Sequence, residues 1–241
     1  MAGRQMKPVQ LELGGNNAAI IMPDCDLERA AGELAASAFS FAGQRCTAPR
    51  RFIVHRDSRK RFTEALLSSI QSLRLGYPRD PLTQVGPVIS KKKQREMGNI
   101  VETSLVEGAK LLCGGKVPDG LESGCWFEPT LLYAPKNNIS LIREESFGPV
   151  TVLQVARNID QALALLNGVT QGLVACLYSG DRDSRERFLE RAACGGLKLN
   201  QTTLGVRADA PFGGWKASGL GPPEHGVWDR DFYTLFQTIY G

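Results

Sequence analysis

VTVLQVARNIDQALALLNGVTQGLVACLY, residues 150–178, decides the fold class. Its opening VTVLQV is apolar and rich in β-branched residues, which reads as a strand. Ala162, Leu163, Leu166 and Val169 then recur at helical spacing, and LVACLY at 173–178 is a second strand. The alternation continues outward in both directions. On the carboxyl side, residues 182–193 form a charged helix and 197–200 a last short strand. On the amino side, Asp24 and Asp26 can cap a helix in which Leu27, Ala30, Ala31, Leu34, Ala38 and Phe41 recur until Gly43. RFIVH at 51–55 is a strand, and Phe62, Leu66, Ile70 and Leu73 mark a second amphipathic helix. Ser90 can cap a third, with Met97, Val101 and Leu105 as its buried stripe. Strand–helix alternation of this kind predicts an α/β fold with a mostly parallel sheet, although the strand order is not legible. Residues 205–226 are rich in Gly and Pro and read as loop. The aromatic run at 231–241 reads as a strand that packs on another subunit.

The chain has 241 residues, of which 42% are hydrophobic and 22% charged, with a formal net charge of +4. These are globular proportions. No segment has the length of a membrane span, and residues 1–15 lack the apolar core of a secretory signal, so a cytoplasmic protein is expected. The basic clusters Arg50-Arg51, Arg59-Lys60-Arg61 and Lys91-Lys92-Lys93 are short and carry no interleaved aromatics. They read as solvated faces, with no nucleic-acid partner. The six cysteines lie far apart without a CxxC pair, and His55 and His225 are isolated, so no metal site is expected. Buried, reduced thiols are the ordinary reading for most of the cysteines.

Four local features carry possible chemistry. LELGG at 11–15 sets a lone carboxylate, Glu12, in an apolar strand-like setting, where burial raises its pKa and makes it a better base. An exposed edge-strand glutamate explains it equally well. In FAGQRCTAPRR at 41–51, Cys46 follows a helix end and precedes a strand, near free backbone N–H groups and beside Arg45. That setting favours a thiolate, although a structural cysteine fits the residues alone. REESFGPV at 143–150 places paired carboxylates in the turn before a strand, a common ligand position in α/β proteins. PFGGWKASG at 211–219 offers glycines for close backbone approach, with Phe212 or Trp215 to line a pocket. Solvated acids and a surface loop are the bland readings of these two.

In combination and in this order, the four resemble the aldehyde dehydrogenase superfamily, whose pattern is ELGG, GQxC, EExFGP and PFGGxKxSG. The resemblance runs through about residues 5–241. It implies that Cys46 attacks an aldehyde, that hydride passes to NAD or NADP, and that Glu12 activates the water that hydrolyses the resulting thioester. It also implies that Glu145 accepts from the nicotinamide-ribose hydroxyls and that Phe147 packs on the nicotinamide. The backbone at Leu13 and Gly14 approaches the same ring, Phe212 lines the aldehyde tunnel, and loop 201–206 meets the far end of the substrate. Asn16-Asn17, where many relatives have Lys, resembles the branch acting on succinylglutamate and other amino-acid semialdehydes. The stretch GPPEHGVWDRDFYT departs from the commonest tail and leaves the substrate class open.

Family members are longer than this chain. The resemblance therefore implies a Rossmann-like cofactor domain, including an oxyanion-hole asparagine, lying before Met1, and no GxGxxG occurs here in its place. The expected organisation is a remnant of that domain at 1–12, a catalytic domain at 13–200, and a substrate loop, motif loop and oligomerisation tail at 201–241. A homo-oligomer acting on a small aldehyde is the expected assembly. Two alternatives stand beside it: a relative that hands its thioester to phosphate or coenzyme A, and a non-enzymatic interaction module. Retention of Glu12 favours hydrolysis over the first.

Overall fold

The computed structural model describes residues 2–241. Two short strands precede the first helix: β1 (Leu11–Glu12), β2 (Ala18–Ile21) and α1 (Leu27–Phe39). The middle of the chain runs through β3 (Arg51–His55), α2 (Arg59–Gln71), α3 (Lys91–Val106), β4 (Lys110–Cys113), β5 (Thr130–Tyr133) and α4 (Ser140–Arg143). Then come β6 (Val150–Ala156), α5 (Ile159–Asn167), β7 (Gln171–Gly172), β8 (Val174–Tyr178), α6 (Arg182–Arg191) and β9 (Gly196–Leu199). The chain closes with β10 (Trp215–Lys216), β11 (Gly219–Leu220) and α7 (Trp228–Tyr233). Seven strands make one sheet in the order β4-β5-β6-β3-β2-β8-β9. All neighbours are parallel except the edge pair β4–β5, so the α/β fold with a mostly parallel sheet is the one observed. No helix among the described residues is long and apolar enough to cross a membrane.

Alternation along the central strands builds a core on each face. Ala19, Ile21, Phe52, Val54, Cys176 and Tyr178 point to the side covered by α1 and α2. Ala18, Ile20, Ile53, Ala175 and Leu177 point to the side covered by α5 and α6. Truncating one of these large aliphatics to Ala would cost about 2–5 kcal/mol. Asp26 caps α1 by accepting from Arg29 N at 3.0 Å, and Ser90 caps α3 by accepting from Lys93 N at 3.1 Å.

Several expectations are corrected. Phe41 does not continue the α1 stripe: it is 64% exposed, in a 3-10 turn at Ser40–Gly43 where Phe41 and Ala42 both take φ 53°. Leu105 is exposed as well, and the buried stripe of α3 is Gln94, Met97, Val101 and Ser104. The strand at 197–200 is not the last, since β10 and β11 follow it. These two pair with β7 and β1 respectively, as small antiparallel ribbons. The terminal run contains no strand: α7 covers Trp228–Tyr233 and residues 234–241 have no regular structure. Arg50 and Arg51 are buried, whereas a solvated face was expected. Their charges are met by backbone carbonyls of distant segments, a compensation invisible in the local sequence.

Candidate active site

Because β6, β3 and β2 are adjacent in the sheet, the turns that precede them lie side by side. Those turns are residues 145–149, 46–50 and 14–17, and they carry three of the four sequence motifs. They sit at the amino ends of the parallel strands. Open α/β sheets more often bind ligands at the carboxyl ends, so the general rule that singled out the 143–150 turn does not explain its position. What turns the chain into this edge is the break after α1. Gly43 takes φ +69°, and a Cβ there would collide with Gly148 O and meet Arg50 Nη1 at 3.0 Å.

Glycines let the three turns touch. A Cβ on Gly14 would overlap the Glu145 carboxylate, and one on Gly15 would lie 2.7 Å from Asn17 Oδ1 and 3.1 Å from Cys46 O. Asn17 fastens the Cys46 turn. Its Nδ2 donates to Cys46 O at 2.7 Å and Ala48 O at 2.9 Å, while its Oδ1 accepts from Val174 N at 3.0 Å. Its own carbonyl accepts from Arg50 N and Arg51 N. Thr203 Oγ1 donates to Thr47 O at 2.6 Å, so loop 201–206 is tied to the same turn.

The electrostatics follow from burial and from this crowding of acids. Burial raises the Cys46 thiol above the usual range, and Glu12 and Glu145 raise it further, opposed by the backbone N–H groups of Thr47 and Cys46. The expectation that Arg45 favours the thiolate is corrected: its guanidinium stacks on Phe41, 4.2 Å from the ring centroid. Glu12 is raised first by burial, then by Glu224 and Glu145. Glu145 is raised by burial and lowered by Arg50, by the Gly15 N–H and by Lys93. A thiol raised by two carboxyls within one edge is an arrangement suited to nucleophilic and acid–base work.

Glu145 Oε1 is buried and has no hydrogen-bond partner among the described residues. Phe147 lines a cavity of about 850 Å³ with Phe41, Gln44, Ile89 and Lys93, whereas Glu145 lines a second one of about 350 Å³ with Ser140, Leu141 and Ser146. Cys46 and Glu12 line neither cavity. Leu13 is half-exposed and its N–H donates to Ser218 O at 3.0 Å. Phe212 is half-buried, bridged to Glu224 and stacked on His225 with ring centroids 6.0 Å apart. Arg50, Glu224 and Lys93 were not singled out as site residues from the sequence, and Asn17 was noted only with Asn16 as a departure from many relatives. Arg50 and Asn17 sit within or beside a motif, but most of their partners lie in other segments.

The aldehyde dehydrogenase family model matches residues 1–239. A succinate-semialdehyde dehydrogenase [NADP(+)] of Mycobacterium bovis is 36% identical over 237 residues, which is 98% of this chain and 51% of that protein. A betaine aldehyde dehydrogenase of Brucella anthropi is 33% identical over 241 residues, 99% of this chain and 49% of its own length. Among solved structures, a Mycobacterium tuberculosis aldehyde dehydrogenase complexed with NAD+ superposes with a TM-score of 0.90 at 31% identity, covering 96% of this chain and 47% of that one. An NAD-dependent aldehyde dehydrogenase from Sinorhizobium meliloti gives 0.92 at 31% identity, covering 98% and 46%. The chain thus spans about half the length of the curated relatives it matches.

Proposed function

The chain belongs to the aldehyde dehydrogenase family, and from that premise we propose that it is the catalytic half of an enzyme oxidising an aldehyde to the carboxylic acid. The observation that carries the reading is the meeting of Cys46, Glu12 and Glu145 at one sheet edge, with both carboxyls near enough to raise the Cys46 thiol. Residues 13–200 form the catalytic portion, 1–12 belong with a cofactor-binding domain, and 201–241 supply the substrate loop, the motif loop and a tail for homo-oligomerisation.

The Cys46 thiolate forms a bond to the aldehyde carbon while the carbonyl π electrons move onto oxygen, where the Cys46 N–H can donate. Glu145 and Phe147, with the backbone of Leu13 and Gly14, would hold NAD+ or NADP+, which would supply the acceptor for the hydride leaving that carbon. An acyl thioester on Cys46 remains. Glu12 takes a proton from water as the water oxygen attacks the acyl carbon, the C–S bond breaks, and the acid leaves. A base raised by burial is matched to this task near neutral pH. Phe212 would border the aldehyde, and the relatives' names together with Asn16-Asn17 favour a semialdehyde substrate.

The first step needs no cofactor, so it can be tested on this chain. Incubation with succinic semialdehyde should protect Cys46 from iodoacetamide in a saturable way, read by mass spectrometry of its peptide, whereas succinate should not. Cys46 labelling that is indifferent to saturating semialdehydes and to betaine aldehyde would overturn the proposal.

A further inference from the structure

Arg50 follows Cys46 by four positions and is 2% exposed. A guanidinium out of water is costly unless its surroundings compensate it, and here the compensation joins two turns. Nη2 donates to Arg45 O at 3.0 Å, in the nucleophile turn. Nη1 donates to Gly148 O at 3.2 Å, in the loop carrying Glu145 and Phe147. The guanidinium also lies 5.7 Å from the Phe147 ring centroid. Glu145 Oε1 is 3.8 Å from Nη2, near enough to offset charge but beyond hydrogen-bond length. The carboxylate is therefore neutralised while that oxygen stays unpaired. The neighbouring Arg51 is equally buried yet does something different. Its donors go to Asn16 O, Leu165 O and Leu166 O, so it holds the end of α5 and touches neither acid.

We propose that Arg50 is a positioning residue for the reaction assigned above: one guanidinium locks the Cys46 turn to the Glu145–Phe147 loop and neutralises Glu145 without occupying its oxygen. The inference rests on that assignment. Burial lowers Arg50 to about 10, so it remains a cation throughout the neutral range. Glu12 and Glu145 bear on Cys46, and Arg50 is the cation coupled to it. Glu224 acts on Glu12, Lys93 acts on Glu145, and Arg45 is turned onto Phe41.

The test is the pH profile of Cys46 alkylation by iodoacetamide, a neutral reagent, followed by peptide mass in wild type, Arg50→Met, Arg50→Lys and Glu145→Gln. Arg50 is the cation coupled to Cys46, and an opposite charge within about 4–6 Å shifts a pKa by about one unit or more. Arg50→Met should therefore move the midpoint upward and slow alkylation at pH 8 by about tenfold. Arg50→Lys, which keeps the cation, should stay within about threefold of wild type. Glu145→Gln should move the midpoint downward, a reversal of sign that loosened packing alone does not produce. A folded Arg50→Met protein with the wild-type midpoint overturns the proposal. If that variant fails to fold, Glu145→Gln decides, and an unmoved midpoint there overturns the shared charge. A wild-type Cys46 that resists alkylation at every pH instead sinks the reading of Cys46 as nucleophile, and the proposal with its premise.

Discussion

Gly14 differs from alanine by one methyl group, and Glu145 occupies the space that methyl would take. Overpacking of this kind costs about 1–3 kcal/mol. Gly14→Ala should therefore lower the urea midpoint, and the loss should shrink in a Glu145→Ala background where the obstructing carboxylate is gone. Additive costs across the four proteins would mean that the two residues are not in contact in solution. Glu12 gives a second prediction, with a sign that runs against the role proposed for it as base. Its carboxylate raises the Cys46 thiol, and it carries full charge only above its own raised pKa. Removing the charge in Glu12→Gln should make thiolate form at lower pH and speed iodoacetamide labelling of Cys46 at neutral pH by a few-fold. The same variant should retain any acyl group transferred to Cys46, because water has lost its proton acceptor. Slower labelling in Glu12→Gln would show that the two groups are not electrostatically coupled.

Elements inherit their positions from such contacts, and Asn17 is the plainest case. It sits between the double glycine and β2, yet its amide holds the nucleophile turn and the start of β8 together. Asn17→Ala would strand two carbonyls and one N–H in the interior, each costing about 1–3 kcal/mol if unsatisfied. A drop in unfolding free energy of at least about 2 kcal/mol is expected in denaturant titration, and a loss under half of that would indicate that water replaces the amide. None of this is legible locally, because an Asn-Asn pair reads as turn chemistry until its partners are known. Helices α1 and α3 were legible because Asp26 and Ser90 are local caps placed just ahead of a periodic stripe. The central strand β2 was not. AAII is buried on both faces, so it lacks the alternation that marks a half-buried strand. Strands β4 and β5 are four residues each, too short for periodicity to speak. At the site, Cys46, Glu12 and Glu145 stood out through their motifs. Arg50 was read as part of a solvated cluster, since charge alone does not reveal which distant carbonyls will surround it.

At the scale of the molecule, the apolar surface is unevenly distributed. Phe41, Ile89 and Phe147 are exposed around the large cavity. The terminal residues Leu235, Phe236, Ile239 and Tyr240 are 95%, 88%, 86% and 91% exposed. The doubly covered sheet gives the chain a core of its own, so the isolated protein should fold cooperatively. Contiguous apolar surface in a folded protein marks an interaction site, and two such surfaces should make it associate. Shortening the chain after Thr234 should reduce that association in sedimentation velocity, because four large side chains leave with the tail. The cavity face would still contribute, so the expected change is a lower average mass at each concentration. Association would not by itself complete the proposed chemistry. On the proposed assignment the chain would supply the nucleophile, the base, one backbone donor for the oxyanion and an acceptor for ribose hydroxyls, and it carries no GxGxxG phosphate turn. Loss of one oxyanion donor alone typically costs about 10²–10³ in rate, and a poorly held dinucleotide removes the hydride acceptor. Mixed with NAD+ or NADP+ and a panel of aliphatic aldehydes and semialdehydes, the isolated chain should give no steady rise in NADH or NADPH absorbance. Sustained turnover would require a complete cofactor site within these 241 residues, which the proposed division of labour does not contain.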